Sequence, residues 1–198
     1  MTADSRASGF GVVAIASSAG GIRALGTLLG ALDPALPVPV LVVQHLDRKR
    51  RSLIAEVLGR QSALPVKLAE HHERIQLGTV YVAPPNRHLL VGPTGLLRLS
   101  ESQPVHFVRP SADLLFGAVS SAYGSRALAC VLTGSGVDGA AGVLDVKERG
   151  GTVIAQDPRT AEFAGMPQAA VNSGAVDLVL SLEEIAEAVH GLVGTTRQ

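Results

Sequence analysis

At 198 residues the chain has the length of one domain, and its seventeen basic side chains balance seventeen acidic ones. That balance excludes the phosphate-neutralising surface on which non-specific nucleic-acid binding depends. Hydrophobic residues make up 46% but aromatics only 3%, with no Trp, so the expected core is the Val, Leu, Ile and Ala of a buried parallel sheet under helices.

Residues 1–9 are small and polar and read as a loose terminus, leaving 10–198 as a single domain. Gly11 to Ala16 is a short apolar run that stops at Ser17-Ser18-Ala19-Gly20-Gly21. Ile22, Leu25, Leu28, Leu29 and Leu32 then recur at helical spacing. Val38 to Val43 is a second β-branched run, ending at Gln44-His45. A helix carrying Leu53, Ile54, Val57 and Leu58 follows. Between them, Arg48, Lys49, Arg50 and Arg51 make a short basic cluster, read as a solvated loop or helix start.

Residues 66–100 change character. Val66 to Leu68, Thr79 to Ala83, Leu89 to Val91 and Leu96 to Leu99 are short runs, and Pro84-Pro85-Asn86 and Gly92-Pro93-Thr94-Gly95 are strong turn signals. The expectation is an antiparallel hairpin region inserted into an α/β domain.

Alternation then resumes. Ser111 is placed to cap a helix with Leu114, Leu115, Ala118, Val119 and Ala122 on its stripe. Ala127 to Leu132 is a strand, Ala140 to Glu148 a helix, Thr152 to Ala155 a strand, Pro167 to Val171 a short helix and Val176 to Leu180 the last strand. Ser181 with Glu184 forms a capping box for a final helix. This order predicts an α/β fold: one doubly wound, mostly parallel sheet with helices on both faces and the inserted hairpin region.

Ligands of such sheets bind beyond the carboxyl ends of the strands. There the first strand offers Ser18, the second His45 and a later one Asp138. A serine hydroxyl needs an adjacent base, and a histidine serving as that base needs an acid to orient it. Each residue also has a plainer reading. Ser17 and Ser18 suit a helix cap or a phosphate-binding turn, His45 a structural hydrogen bond, and Asp138 a cap for the helix opening at Ala140. Neither G-x-S-x-G nor G-x-G-x-x-G is present. Spacing alone does not choose among Asp138, Asp157 and Asp47 as the acid. His71-His72-Glu73 lacks H-E-x-x-H spacing, and His88, His106 and His190 show no partner spacing. No metal and no cofactor are assigned. Cys130 is alone in an apolar run, so the expectation is a buried, inert thiol. Without a secretory signal or an apolar stretch of spanning length, the expected location is the cytoplasm, with no membrane insertion.

Together these residues resemble a known family, the catalytic domain of CheB-type chemotaxis methylesterases. Val13 to Gly21 resembles the nucleophile segment I-G-A-S-T-G-G, Gln44-His45-Leu46 the segment Q-H-M, and Leu132 to Ala140 the segment L-T-G-M-G-x-D-G-A. Tyr81-Val82-Ala83-Pro84, Arg109 to Phe116 and Gly165-Met166-Pro167 match less central segments, so the likeness runs from about Val12 to Val193. The resemblance implies Ser18 rather than Ser17 as nucleophile, His45 as base, and Asp138 as the acid over Asp157 and Asp47. It implies hydrolysis of glutamate methyl esters on the cytoplasmic domains of chemoreceptors, with release of methanol, and in some members deamidation of glutamine. Two departures stand at the site: Ala19 where the family has threonine, and Ser135 where it has methionine. They leave room for a triad esterase or amidase with another substrate, or for a non-catalytic signalling domain. Many members carry a phosphorylatable receiver domain ahead of this segment. Few residues precede Ser18 here, so the expectation is a catalytic domain without that control.

Overall fold

Apolar runs with no polar alternation need cover on both faces, and the strands of this chain have it. The computed structural model describes residues 10–46 and 52–194. Every residue of β1 (Val12–Ser17), β2 (Val40–Gln44), β4 (Val80–Val82) and β7 (Ala127–Val131) is buried. With β3 (Val66–Leu68), β8 (Thr152–Gln156) and β9 (Leu178–Leu180) they make one seven-stranded sheet in the order β3-β4-β2-β1-β7-β8-β9. All its pairings are parallel. The two remaining strands, β5 (His88–Val91) and β6 (Leu97–Ser100), form a separate antiparallel hairpin.

Side-chain alternation along β1 divides the core. Val13 and Ile15 join a cluster with Leu25, Leu28 and Leu29 of α1 (Gly21–Ala31), Ile54 and Leu58 of α2 (Ile54–Gly59), and Ile185 and Val189 of α6 (Leu182–Val193). Val12, Ala14 and Ala16 face the other way. They meet Leu115, Phe116 and Val119 of α3 (Ala112–Tyr123), Val143 and Val146 of α4 (Ala140–Glu148), Met166 and Ala170 of α5 (Gly165–Asn172), and the hairpin's Leu89, Val91 and Leu97. Phe116 is fully buried between these elements, so its truncation to Ala costs about 3–5 kcal/mol.

The doubly wound sheet, the Ser111 cap and the Ser181–Glu184 capping box are as expected. Two expectations need correction. Only half of 66–100 is a hairpin insertion: Val66–Leu68 and Val80–Val82 extend the main sheet in parallel, Val80 in register with Val40 and with Val66. Fully buried Val80–Val82 gains more as an interior strand than as part of a half-exposed hairpin. In α2 only Ile54 and Leu58, four residues apart on one face, are buried; Leu53 precedes the helix as its cap residue and, like Val57 on another face, is exposed. Asp47 and the cluster Arg48–Arg51 lie outside the described residues. Among the described residues, no helix is long and apolar enough to cross a membrane.

What matters for the site is the sheet order. The chain winds outward from β1 on one side, through β2, then returns to lay β7 on β1's other side. The connections part between β1 and β7, and their carboxyl ends leave a crevice there.

Candidate active site

The crevice is built from Ser17 outward. Its buried hydroxyl donates to Gln44 Oε1 at 2.6 Å, and Gln44 Nε2 donates to the carbonyls of Ser18 at 2.7 Å and His45 at 2.9 Å. One side chain thus fixes the end of β1 against the end of β2. On the other side, the Ser18 N–H donates to the Thr133 carbonyl at 3.0 Å, and Thr133 Oγ1 donates to the Ala19 carbonyl at 3.1 Å. The turn carrying Ser18 is held from both neighbouring strands.

Glycine is needed at this turn for two reasons. Gly20 has φ 73°, a left-handed conformation that side chains resist. A Cβ on Gly21 would stand 2.1 Å from Gln44 Oε1 and 2.7 Å from Ser17 Oγ, so the start of α1 packs directly onto the Gln44 network. Beyond β7, a Cβ on Gly134 would lie 2.9 Å from Ser18 Cβ and 2.3 Å from Met166 Sδ. Gly134 therefore lets the loop after β7 approach the serine.

His45 Nε2 sits 2.8 Å from Asp138 Oδ2, with the two side chains 11% and 3% exposed. The same carboxylate lies over the start of α3. Its Oδ1 accepts from Ser111 Oγ at 2.8 Å and from the Asp113 N–H at 3.2 Å, and its Oδ2 accepts from the Ala112 N–H at 2.6 Å. Burial pushes the Asp138 pKa up, but the hydrogen bonds from His45, Ala112 and Ser111 outweigh it and hold the carboxyl below its ordinary value. An ionised carboxylate only accepts, so neutral His45 carries its proton on Nε2 and leaves Nδ1 as the ring's acceptor.

Ser18 and His45 line one cavity of about 450 Å³, with Gln44, Leu46, Ile22, Arg23 and Glu162 on its walls. Arg23 and Glu162 pair at its lip at 2.5 Å, both exposed. Among the described residues, no hydrogen bond joins Ser18 Oγ to the His45 ring, and the backbone N–H groups of Ala19 and Ser135 donate none.

The structure thus brings His45 and Asp138 into contact and sets Ser18 in the same cleft as His45. Asp138 does bond a helix N-terminus, but that of α3, where it accepts from the Ala112 and Asp113 N–H groups beside the cap residue Ser111; Gly139 occupies the cap position of α4. Asp157 is taken by Arg159, whose side chain lies 2.6 Å away and, by hydrogen bonding, holds the Asp157 carboxyl below its ordinary value. The other histidines serve elsewhere. Fully buried His88 accepts the Ser111 N–H at Nδ1 (3.1 Å), faces the Gln103 carbonyl with Nε2 (3.1 Å), and is kept neutral chiefly by burial. His71 accepts the Leu99 N–H, and His190 Nε2 faces the Ala31 carbonyl.

Gln44, Ser111 and Thr133 had no assigned role in the crevice on sequence grounds. Gln44 carried a signal, a polar residue ending a fully apolar strand; the other two depend on which strands become neighbours.

The chain matches the CheB methylesterase family over residues 13–189. It is 42% identical over 182 residues to the protein-glutamate methylesterase/protein-glutamine glutaminase of group 3 operon of Rhizobium meliloti, covering 92% of this chain and 51% of that protein. A Leptospira interrogans protein whose name carries the same two activities is 42% identical over 175 residues, covering 88% of this chain and 91% of its own. The chain therefore spans about half the length of the Rhizobium protein and nearly all of the Leptospira one. The crystal structure of the Thermotoga maritima CheB methylesterase catalytic domain superposes with a TM-score of 0.89 at 37% identity, over 93% of this chain and 99% of that one.

Proposed function

The chain belongs to the CheB methylesterase family, and on that premise we propose that it hydrolyses glutamyl methyl esters on a protein, with Ser18 as nucleophile, His45 as base and Asp138 as orienting acid. The observation carrying this is the 2.8 Å contact between His45 Nε2 and a buried, fully bonded carboxylate, in the crevice that also holds Ser18.

Substrate entering the cleft places its ester carbonyl against Ser18 Oγ. Ser18 attacks the carbonyl carbon as its proton passes to His45 Nδ1, and Asp138 stabilises the imidazolium through Nε2. Collapse of the tetrahedral intermediate breaks the C–OCH3 bond, and His45 returns the proton so that methanol leaves. Water, deprotonated by His45, then attacks the acyl-enzyme and releases the glutamate carboxylate and free Ser18. With glutamine the leaving group is ammonia and the remaining steps are the same. The N–H groups of Ala19 and Ser135, which donate to nothing among the described residues, are assigned to the oxyanion, a role in which one donor is worth about 2.7–4 kcal/mol. A backbone donor survives the loss of threonine and methionine side chains at these two positions.

The substrate assigned is the methylated cytoplasmic domain of a chemoreceptor, as the resemblance to the family implies; the relatives' names support the ester of a protein glutamate. Methanol release from such fragments tests it, wild type against Ser18→Ala. Release that disappears with the substitution is the expected result. Release by wild type from a simple ester but from no methylated receptor fragment would move the activity to another substrate.

A further inference from the structure

The acid and the helix behind it exchange carboxylates. Asp138, just ahead of α4, bonds the N-terminal groups of α3. Asp113, in the first turn of α3, does the reverse: its Oδ1 accepts from the Gly139 N–H at 2.9 Å and the Gly142 N–H at 2.7 Å, at the start of α4. Its Oδ2 faces His106 Nε2 at 3.1 Å, and the side chain is 11% exposed. The helices meet without slack, since a Cβ on Gly142 would stand 2.8 Å from both Asp113 Cα and Phe116 Cβ.

The loop between β7 and α4 is tied at Thr133 and Gly134, and the Ala140 N–H donates to the Val137 carbonyl at 3.1 Å, but among the described residues no backbone N–H of 135–138 donates a hydrogen bond. Gly136 and Gly139 both hold positive φ, at 96° and 101°, and Val137 is half exposed. Asp138 lies between them, so the backbone on its α4 side is fixed by the Gly139 N–H bond to Asp113. Resting on the triad reading above, we propose that Asp113 is a positioning residue for the reaction: it pins the backbone beside Asp138 so that the carboxylate meets His45 Nε2. A carboxylate that drifts by about 1 Å loses its hold on the ring, and misplacements of that size cost about a hundredfold in rate.

Burial holds Asp113 above the ordinary carboxylate range, and the nearby Asp138 charge pushes the same way. What the two N–H groups of Gly139 and Gly142 meet is one acceptor oxygen, Oδ1, and an acceptor there needs no charge. Asparagine keeps Oδ1 in place, whereas alanine removes it, and glutamate moves it by one methylene.

The test is methanol release from a methylated receptor fragment by Asp113→Ala, Asp113→Glu and Asp113→Asn, with melting curves to show that each is folded. Expected for Asp113→Ala and Asp113→Glu is a fall in kcat of about 10- to 100-fold, with KM within about threefold. Asp113→Asn is expected to stay within about threefold of wild type. In an Asp138→Ala background, Asp113→Ala adds no further loss, because its effect runs through the missing acid. Full kcat in folded Asp113→Ala or Asp113→Glu, loss in Asp113→Asn equal to that in Asp113→Ala, or a multiplicative loss on top of Asp138→Ala would each overturn the proposal. Should Asp113→Ala melt below the assay temperature, Asp113→Glu and Asp113→Asn make the same comparison. Ser18→Ala and Asp138→Ala run alongside: activity retained in both would defeat the triad itself, whereas activity lost in both but kept in Asp113→Ala would defeat only this inference.

Discussion

The two ends of the proposed Ser18–His45–Asp138 triad are built to different standards. At the acid end, Asp138 is 3% exposed and takes hydrogen bonds from Ser111 Oγ, the N–H groups of Ala112 and Asp113, and the His45 ring. At the nucleophile end, Ser18 stands in an open cleft, its backbone clamped by Gln44 and Thr133 but its hydroxyl not yet bonded to His45. Folding alone completes the first end; in the proposed reaction, substrate completes the second. Catalytic hydrogen bonds often tighten only in the Michaelis complex, whereas a buried carboxylate has to be satisfied as the protein folds. Substitutions at the nucleophile end are therefore expected to remove activity and spare the fold, and substitutions at the acid end to damage both.

The sharpest form of that contrast is Ser18→Ala, expected to lower kcat by more than about a thousandfold while the stability measured by urea melts stays within about 0.5 kcal/mol. Unfolding of this variant would erase the distinction between the ends. Asp138→Asn comes next. Its amide cannot accept at both oxygens' positions and sets an NH2 group among donors. Activity is expected to fall by about ten-thousandfold, and stability by about 1–3 kcal/mol. Unchanged melting of Asp138→Asn would show that the cage contributes nothing to the fold.

A smaller effect is expected at the seam between the ends. Gly134→Ala drives a methyl against Ser18 Cβ and Met166 Sδ, costing about 1–3 kcal/mol by overpacking and lowering kcat with it. Wild-type kinetics would mean that the loop after β7 does not set the serine's place.

Acid titration separates the two carboxylates behind the base. The folded pKa of Asp138 is depressed, so its stabilisation is fully present above its unfolded value and is lost as pH falls through the folded one. The stability gap between wild type and Asp138→Asn should therefore narrow on descent from pH 7 past the ordinary value of 3.8. Asp113 has the opposite sign. Its raised folded pKa makes ionisation costly, so Asp113→Asn is expected to be at least as stable as wild type at neutral pH. Urea midpoints across that range read both, and a gap that widens toward acid would reverse the assignment for Asp138. Least affected should be Cys130, whose thiol is fully buried and pushed up to about 12. Alkylating reagent is expected to leave both the thiol and the activity untouched until the protein unfolds, and rapid loss of activity on alkylation would bring a second nucleophile into play.

The same division governs what could be read from the sequence. Uninterrupted apolar runs at Val12–Ala16, Val40–Val43 and Ala127–Val131 announce a buried parallel sheet, and the polar residues that end them point to the crevice. Val66–Leu68 and Val80–Val82 were hidden, since short runs between strong turn signals look alike whether they pair as hairpins or extend a distant sheet. At the nucleophile end, Ser18, Gly20 and Gly21 are consecutive and local. At the acid end, the cage of Asp138 and its exchange with Asp113 join residues more than twenty positions apart. Sequence locally suggests that Asp138 caps α4; only the packing of α3 on α4 turns it toward α3.

In the proposed reaction Ser18 carries the acyl group. A serine-directed fluorophosphonate, followed by peptide mapping and methanol release from a methylated receptor fragment, tests it most directly. One adduct is expected, on Ser18 and not on Ser17, with activity falling in step with labelling. Stoichiometric labelling elsewhere with loss of activity, or full methanol release from protein labelled at Ser18, would contradict it.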